Sequence, residues 1–153
     1  MANFIDVWQV HPSNWPTPEP FPCKDGKGGV AAGLKDQCAI RLGVALQGAG
    51  IKTDSLSGAR CWNGHGKEHI LRVNEFAPWI DKNGTRIGCG KRETHKKVTF
   101  LNFVGRKGIV CFQNFWGANN RGDHIDLWNG FCMGQGAHDY FVRSQEVWFW
   151  EMK

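Results

Sequence analysis

The sequence contains no CxxC pair, no HExxH motif, no internal repeat and no apolar run of membrane-spanning length. The first two absences remove the strongest spacing signatures of paired-cysteine zinc sites and zinc peptidases. The lack of a long apolar run leaves a membrane span out of the expectation. The opening residues MANFIDVWQVHP carry neither a basic n-region nor an apolar h-region. No secretory signal is therefore expected, and the chain is expected to be made in the cytoplasm and exported, if at all, by another route. The six cysteines (Cys23, Cys38, Cys61, Cys89, Cys111 and Cys132) are spread over 153 residues. That is too sparse for a small disulfide scaffold, although one or two bridges fit an oxidising compartment.

What is present describes a globular protein. A hydrophobic fraction of 41% argues against disorder, and 153 residues suffice for one domain over 1–153 with a core that needs no metal or disulfide. Twenty glycines and eight tryptophans suggest many turns and strands, with aromatic rings filling a core or a groove. The net charge of +5 favours anionic surroundings: nucleic acid, a membrane face or an acidic polymer such as a cell wall. Much of this charge lies between Lys82 and Lys107, which reads equally well as a solvated hairpin.

Residues 1–30 read as an extended Pro/Gly-rich arm. Residues 3–10 allow a short helix or strand, and HPSNWPTPEPFPC (His11 to Cys23) a surface loop. Asp36 is placed to cap a helix starting at Cys38, whose apolar run Ala39, Ile40, Leu42, Val44, Ala45 and Leu46 ends at Gly48 and Gly50. A second helix is expected around His69 to Ile80. Thereafter KKVTFLNFV, KGIVCFQNF, DHIDLWNG and EVWFWEM read as strands. Helices first and an antiparallel sheet second is an α+β layout.

Cys38 is expected in the first turn of a buried helix, where unsatisfied N–H groups and partial positive charge favour a thiolate. The same N–H groups can receive an oxyanion. On the strand GDHIDLW, His124, Asp126 and Trp128 share one face, while Ile125 and Leu127 turn to the core. His124 is then free to act as the base of a Cys–His pair. A third group should orient the imidazole. If Asn129-Gly130 makes a two-residue hairpin turn, Trp128 faces Phe131 and Gln135 falls opposite His124. Asp139 is the stronger electrostatic partner but needs a longer loop. Asp126 sits one pleat away, and Asp123 starts on the wrong face. The order of preference is Gln135, Asp139, Asp126.

DQCAIRLGVAL around Cys38, GDHIDLWNG around His124 and the closing strand EVWFWEM together resemble the fourth family of type VI secretion amidase effectors. These are antibacterial toxins of the papain-like peptidoglycan endopeptidase superfamily. The likeness runs from about Gln37 to the C-terminus. It implies a papain-like fold, with N-terminal helices carrying the nucleophile against a C-terminal antiparallel sheet. It also implies a cysteine amidase that cuts the γ-D-glutamyl–meso-diaminopimelate bond. Cys38 and His124 match the family's nucleophile and base, while Gln135 stands where the family has an aspartate. The resemblance further implies delivery by a type VI machine into a rival's periplasm, and a cognate immunity protein.

Other signals point to different chemistry. Cys61, His65 and His69, with Cys89, could hold a metal, but surface histidines near a turn suit that spacing better. No cofactor and no metal are expected. Trp62, Trp116 and Trp128 are candidates for a substrate groove, whereas Trp148 and Trp150 suit packing. Arg41 could steer a substrate carboxylate or be a salt-bridged helix residue. A His-metal nuclease would need a helix after Asn129-Gly130 returning a second donor, and a wall-binding module would need neither Cys38 nor His124. The Cys–His reading uses both residues, with peptidoglycan rather than nucleic acid or membrane as its target.

Overall fold

A four-stranded antiparallel sheet, with its longer helices on one face and a short helix on the other, organises the chain. It is seen in a computed structural model that describes residues 1–61 and 68–153. The helices are α1 (Phe4–Gln9), α2 (Cys38–Gly48), α3 (Val73–Asn83) and the short α4 (Tyr140–Arg143). The strands are β1 (Glu93–His95), β2 (Gly108–Trp116), β3 (Gly122–Trp128) and β4 (Glu146–Glu151), in the spatial order β1-β4-β2-β3. This is the expected α+β arrangement. No helix among the described residues is long and apolar enough to cross a membrane.

The sheet is buried on both faces, and the alternation of its strands sorts residues into two cores. Ile109, Cys111, Ile125, Leu127 and Trp150 face α1, α2 and α3. Val110, Phe112, Trp128, Val147 and Phe149 face the opposite way, against Phe103, Met133 and Phe141. Burial on both sides explains why β3 is closed to solvent from His124 to Trp128 despite containing a histidine and an aspartate.

Residues 1–30 differ from the expected extended arm. Asn3 and Asp6 form a reciprocal capping box that starts α1. Phe4 and Val7 then enter the main core. His11 and Pro12 are buried as well, and a short 3-10 turn covers Pro12–Asn14. The prolines rigidify a segment that is packed against the body.

Two other elements are corrected. KKVTFLNFV is not a strand, because Thr99 and Asn102 cap one another and fold Phe100–Phe103 into a 3-10 turn. That local hydrogen bonding overrides the alternating pattern, and the edge strand is Glu93–His95 instead. The second helix starts at Val73 and includes Pro78. The residues before it are taken by an antiparallel bridge between Arg60 and Ile70. Several basic side chains of the 82–107 stretch are held in surface ion pairs, Arg92 with Asp81 and Arg106 with Glu93 and Glu151.

Candidate active site

The start of α2 is built by Gln37, not by Asp36. Gln37 is buried, and its amide oxygen accepts from the Cys23 N–H while its nitrogen donates to the Cys23 and Leu34 carbonyls. It makes no side-chain bond to the helix start. The first N–H groups of α2, which lack intrahelical partners, are thus not consumed by a cap. Cys38 is the first residue of that helix and is 8% exposed.

β3 brings His124 against it. Burial alone would push the Cys38 thiol up. The hydrogen bond and charge of His124, a backbone N–H from Ile125 and the charge of Arg41 outweigh burial and hold the thiol below its ordinary value. Burial likewise disfavours a charged imidazole, yet the neighbouring Asp126 carboxylate and Cys38 thiolate lift His124 to about 9. Both shifts favour a thiolate–imidazolium pair. An aromatic wall of Phe112, Phe115 and Tyr140 shields the ring, with centroids 6.1, 6.4 and 5.3 Å away.

Asp126 stands behind the imidazole. His124 Nε2 lies 3.8 Å from Asp126 Oδ2, and His11 Nε2 lies 2.8 Å from Asp126 Oδ1. His11 Nδ1 accepts from the Ser13 N–H, which leaves the ring hydrogen on Nε2, the nitrogen beside Asp126. Each carboxylate oxygen also receives a backbone N–H: Oδ1 from Leu127 at 2.8 Å, Oδ2 from Gln135 at 2.6 Å. Burial would raise this carboxyl, but the two histidines, His11 first, hold it well below the usual carboxylate range. A fully buried carboxylate is tolerable because each of its oxygens is met by donors.

The structure therefore brings Cys38 and His124 together and reorders the three candidates for the third position. The Asn129-Gly130 turn is wider than two residues. The Asn129 side chain accepts from the Phe131 and Cys132 N–H groups, and Trp128 bridges to Met133 rather than Phe131. Two extra loop residues shift the pairing by two, so Gln135 comes level with Asp126 instead of His124. Gln135 contributes its backbone N–H to Asp126, while its side chain lines the cleft. Asp139 is exposed at the start of α4, where it pairs with Arg143. Asp123 accepts from the Asn114 N–H. His11 was missed altogether, because a histidine in a proline-dense stretch reads as surface.

Cys38 and His124 open onto a cleft of about 370 Å³ whose walls include Lys35, Phe115, Trp116, Gln135, Tyr140 and Arg143. A bulge in β2 around Asn114, which has φ 54°, sets Trp116 over Gly122 at the rim. Of the tryptophans considered for a groove, Trp116 lines it. Trp128 is core and donates to the Phe103 carbonyl, and Trp62 lies outside the described residues. Trp150 is buried and donates to Asp81. Arg41 also borders the cleft, buried and bonded to the Pro20 carbonyl rather than to a carboxylate.

The metal quartet drawn from the sequence does not assemble. Cys89 bridges to Met152 beside β4, and burial pushes its thiol up to about 12. His65 lies outside the described residues. Cys61 and His69 do meet, but their third neighbour is Cys23. Among the described residues, His124 belongs to no such cluster of metal donors.

Residues 34–150 match the family model described as type VI secretion system (T6SS), amidase effector protein 4, Tae4. No curated protein sequence matches the chain. Among solved structures, the type VI effector Tae4 from Enterobacter cloacae aligns with 23% identity and a TM-score of 0.74, over 100% of this chain and 98% of that one. The effector–immunity complex Tae4–Tai4 from the same organism aligns with 22% identity and a TM-score of 0.72, over 100% of both chains. The Tae4/Tai4 system from Salmonella typhimurium gives 20% identity and a TM-score of 0.72, over 100% and 99%. At these identities the structural matches speak to the fold.

Proposed function

Since the chain belongs to the Tae4 family of type VI secretion system amidase effectors, we propose that it hydrolyses the γ-D-glutamyl–meso-diaminopimelate bond of peptidoglycan stem peptides through a Cys38 thioester. The observation that carries this reading is the buried Cys38–His124 pair at the start of α2, backed by Asp126. His124 holds the proton and Cys38 attacks as thiolate. The N–H groups at the start of α2 receive the oxyanion. His124 then protonates the departing amine, and water, activated by the same imidazole, hydrolyses the thioester. Asp126 keeps the ring oriented and its positive charge stabilised, and His11 holds Asp126.

The cleft suits an anionic peptide. Lys35 and Arg143 at its mouth can meet the carboxylates that flank the scissile bond, and Trp116 and Tyr140 offer flat apolar faces. Arg41, beside the thiol, supports the thiolate rather than the substrate. Matched structures are effector–immunity complexes. By that analogy a cognate immunity protein covers this cleft in the producing cell, and the toxin acts in the periplasm of the target bacterium. The test is to incubate the protein and its Cys38→Ala variant with diaminopimelate-type peptidoglycan and resolve released muropeptides by mass spectrometry. Cleavage after D-glutamate by the unmodified protein alone is expected. Equal cleavage by Cys38→Ala would overturn the mechanism.

A further inference from the structure

We propose that Cys23, Cys61 and His69 form a zinc site that anchors the start of the catalytic helix. Their ligand atoms all lie within 4.8 Å of one another, and the two sulfurs are 3.4 Å apart. A disulfide requires about 2.05 Å. A tetrahedral ion with metal–sulfur bonds of about 2.3 Å places its sulfurs about 3.8 Å apart, a few tenths of an ångström from what is seen. Two thiolates and one imidazole are soft and borderline donors that suit Zn(II). The fourth position falls to water or a further donor.

The backbone makes this meeting specific. Arg60 and Ile70 form an isolated antiparallel bridge, and the Cys61 N–H donates to the His69 carbonyl, so a short pairing sets the two residues side by side. Cys23 arrives from the other direction and is fixed at both its N–H and its carbonyl by Gln37. Cys23 and His69 are buried while Cys61 is partly exposed, which gives an ion a route in. The three come from segments 38 and 8 residues apart in sequence, so the ion would tie two long connections together. Because Gln37 directly precedes Cys38, a metal at Cys23 holds the helix start that presents the nucleophile. The site stands apart from the Cys38–His124 cleft and does not depend on the amidase assignment.

The test uses the full-length Cys38→Ala protein, so that the catalytic thiol cannot contribute a donor, purified under reductant, with Zn(II) alone as the probe. One Zn(II) per chain is expected to survive gel filtration and compete with a chromophoric chelator. Co(II) in its place is expected to show the charge-transfer absorption of a thiolate-ligated ion. Cys61→Ser and His69→Asn should each weaken Zn(II) binding at least about a hundredfold, while Cys132→Ser, at an exposed cysteine, should leave it unchanged. The Co(II) spectrum of the Cys38→Ala protein decides the matter even if a ligand variant fails to fold. Absence of both retained Zn(II) and the Co(II) band overturns the proposal. So does binding indifferent to both ligand substitutions, or a Cys23–Cys61 disulfide whose reduced form takes up no metal.

Discussion

Replacing Asp126 by asparagine keeps the shape of the group that joins His11 to His124 and removes its charge. At the observed 3.8 Å, and with an effective dielectric near 20, the lost attraction on a protonated His124 is about 4 kcal/mol before burial costs are counted. Asparagine cannot compensate by rotating. Each carboxylate oxygen receives a backbone N–H, from Leu127 and from Gln135. Either orientation of the amide therefore turns an NH2 group against one of these donors and leaves it unsatisfied at a fully buried position. That mismatch costs about 1–3 kcal/mol of stability, or about 2–10 °C in Tm for a chain of this size. In catalysis, by comparison with amidation of a triad carboxylate, kcat/KM should fall by about two to four orders of magnitude.

The pH profile separates orientation from mere structural damage. In the unmodified protein the active thiolate–imidazolium pair forms once Cys38 ionises, below the ordinary thiol range, and is lost when His124 gives up its proton near pH 9. In Asp126→Asn one of the groups that raises His124 loses its charge, so the alkaline limb must move to lower pH. Stability follows the opposite sense at the acid end. A carboxyl depressed in the folded state stabilises above its unfolded value of about 3.9 and loses that contribution as pH falls through the folded value. The asparagine variant lacks this component, so its Tm should depend less on pH in acid. Steady-state cleavage of a defined muropeptide from pH 5 to 10, paired with thermal melts, tests both. An unmoved alkaline limb with kcat/KM within about threefold of the parent would refute the orienting role of Asp126.

Gln135→Ala should retain activity within a few-fold, because the residue serves Asp126 through its backbone N–H; Gln135→Pro, which deletes that N–H, should approach the Asp126→Asn defect in the same cleavage assay. Gly134→Ala should also impair turnover, since its Cβ would meet the His11 ring, 2.8 Å from Nδ1, and push it off Asp126; normal activity with a normal melt would contradict the His11–Asp126 link. Gln37→Ala breaks three bonds that hold Cys23 and Leu34 to the helix start, and should cost about 2–4 kcal/mol by denaturant titration. Gly122→Ala, whose Cβ would meet Trp116 2.6 Å from Nε1, should raise KM for muropeptide more than it lowers kcat, because it displaces a wall of the cleft and leaves the Cys38–His124 pair in place.

Elements whose signals are local were legible before the structure. The apolar run from Cys38 defined α2 from its first residue, and period-two alternation sorted β3 correctly, with Ile125 and Leu127 toward the helices and His124 and Asp126 on the other face. What failed depended on loop geometry or on distant chain. The position of Gln135 does not follow from a two-residue turn, because the Asn129 side chain stabilises a wider one, and a slip of two moves Gln135 from His124 to Asp126. His11 and Cys23 were hidden because proline-dense sequence reveals rigidity but not what it packs against. The capping box in residues 3–6 was the one local cue that the N-terminus is ordered.

The N-terminal segment is thus packed into the surroundings of the Cys38–His124 pair. Without His11, Asp126 Oδ1 would be met by the Leu127 N–H alone, and the buried carboxylate would lose one of the two histidines that hold it ionised. Here α1 docks through Phe4 and Val7, the prolines stiffen the chain beyond it, and His11 is delivered to Asp126 Oδ1 while His124 faces Oδ2. Twelve residues later the same segment reaches Cys23, where Gln37 clasps it beside Cys38. The arm therefore touches the site twice, once behind His124 and once before Cys38. Its order should stand or fall with activity: proteolytic nicking between His11 and Cys23 should abolish cleavage without unfolding the sheet, whereas a nicked protein with full turnover would show the arm to be dispensable.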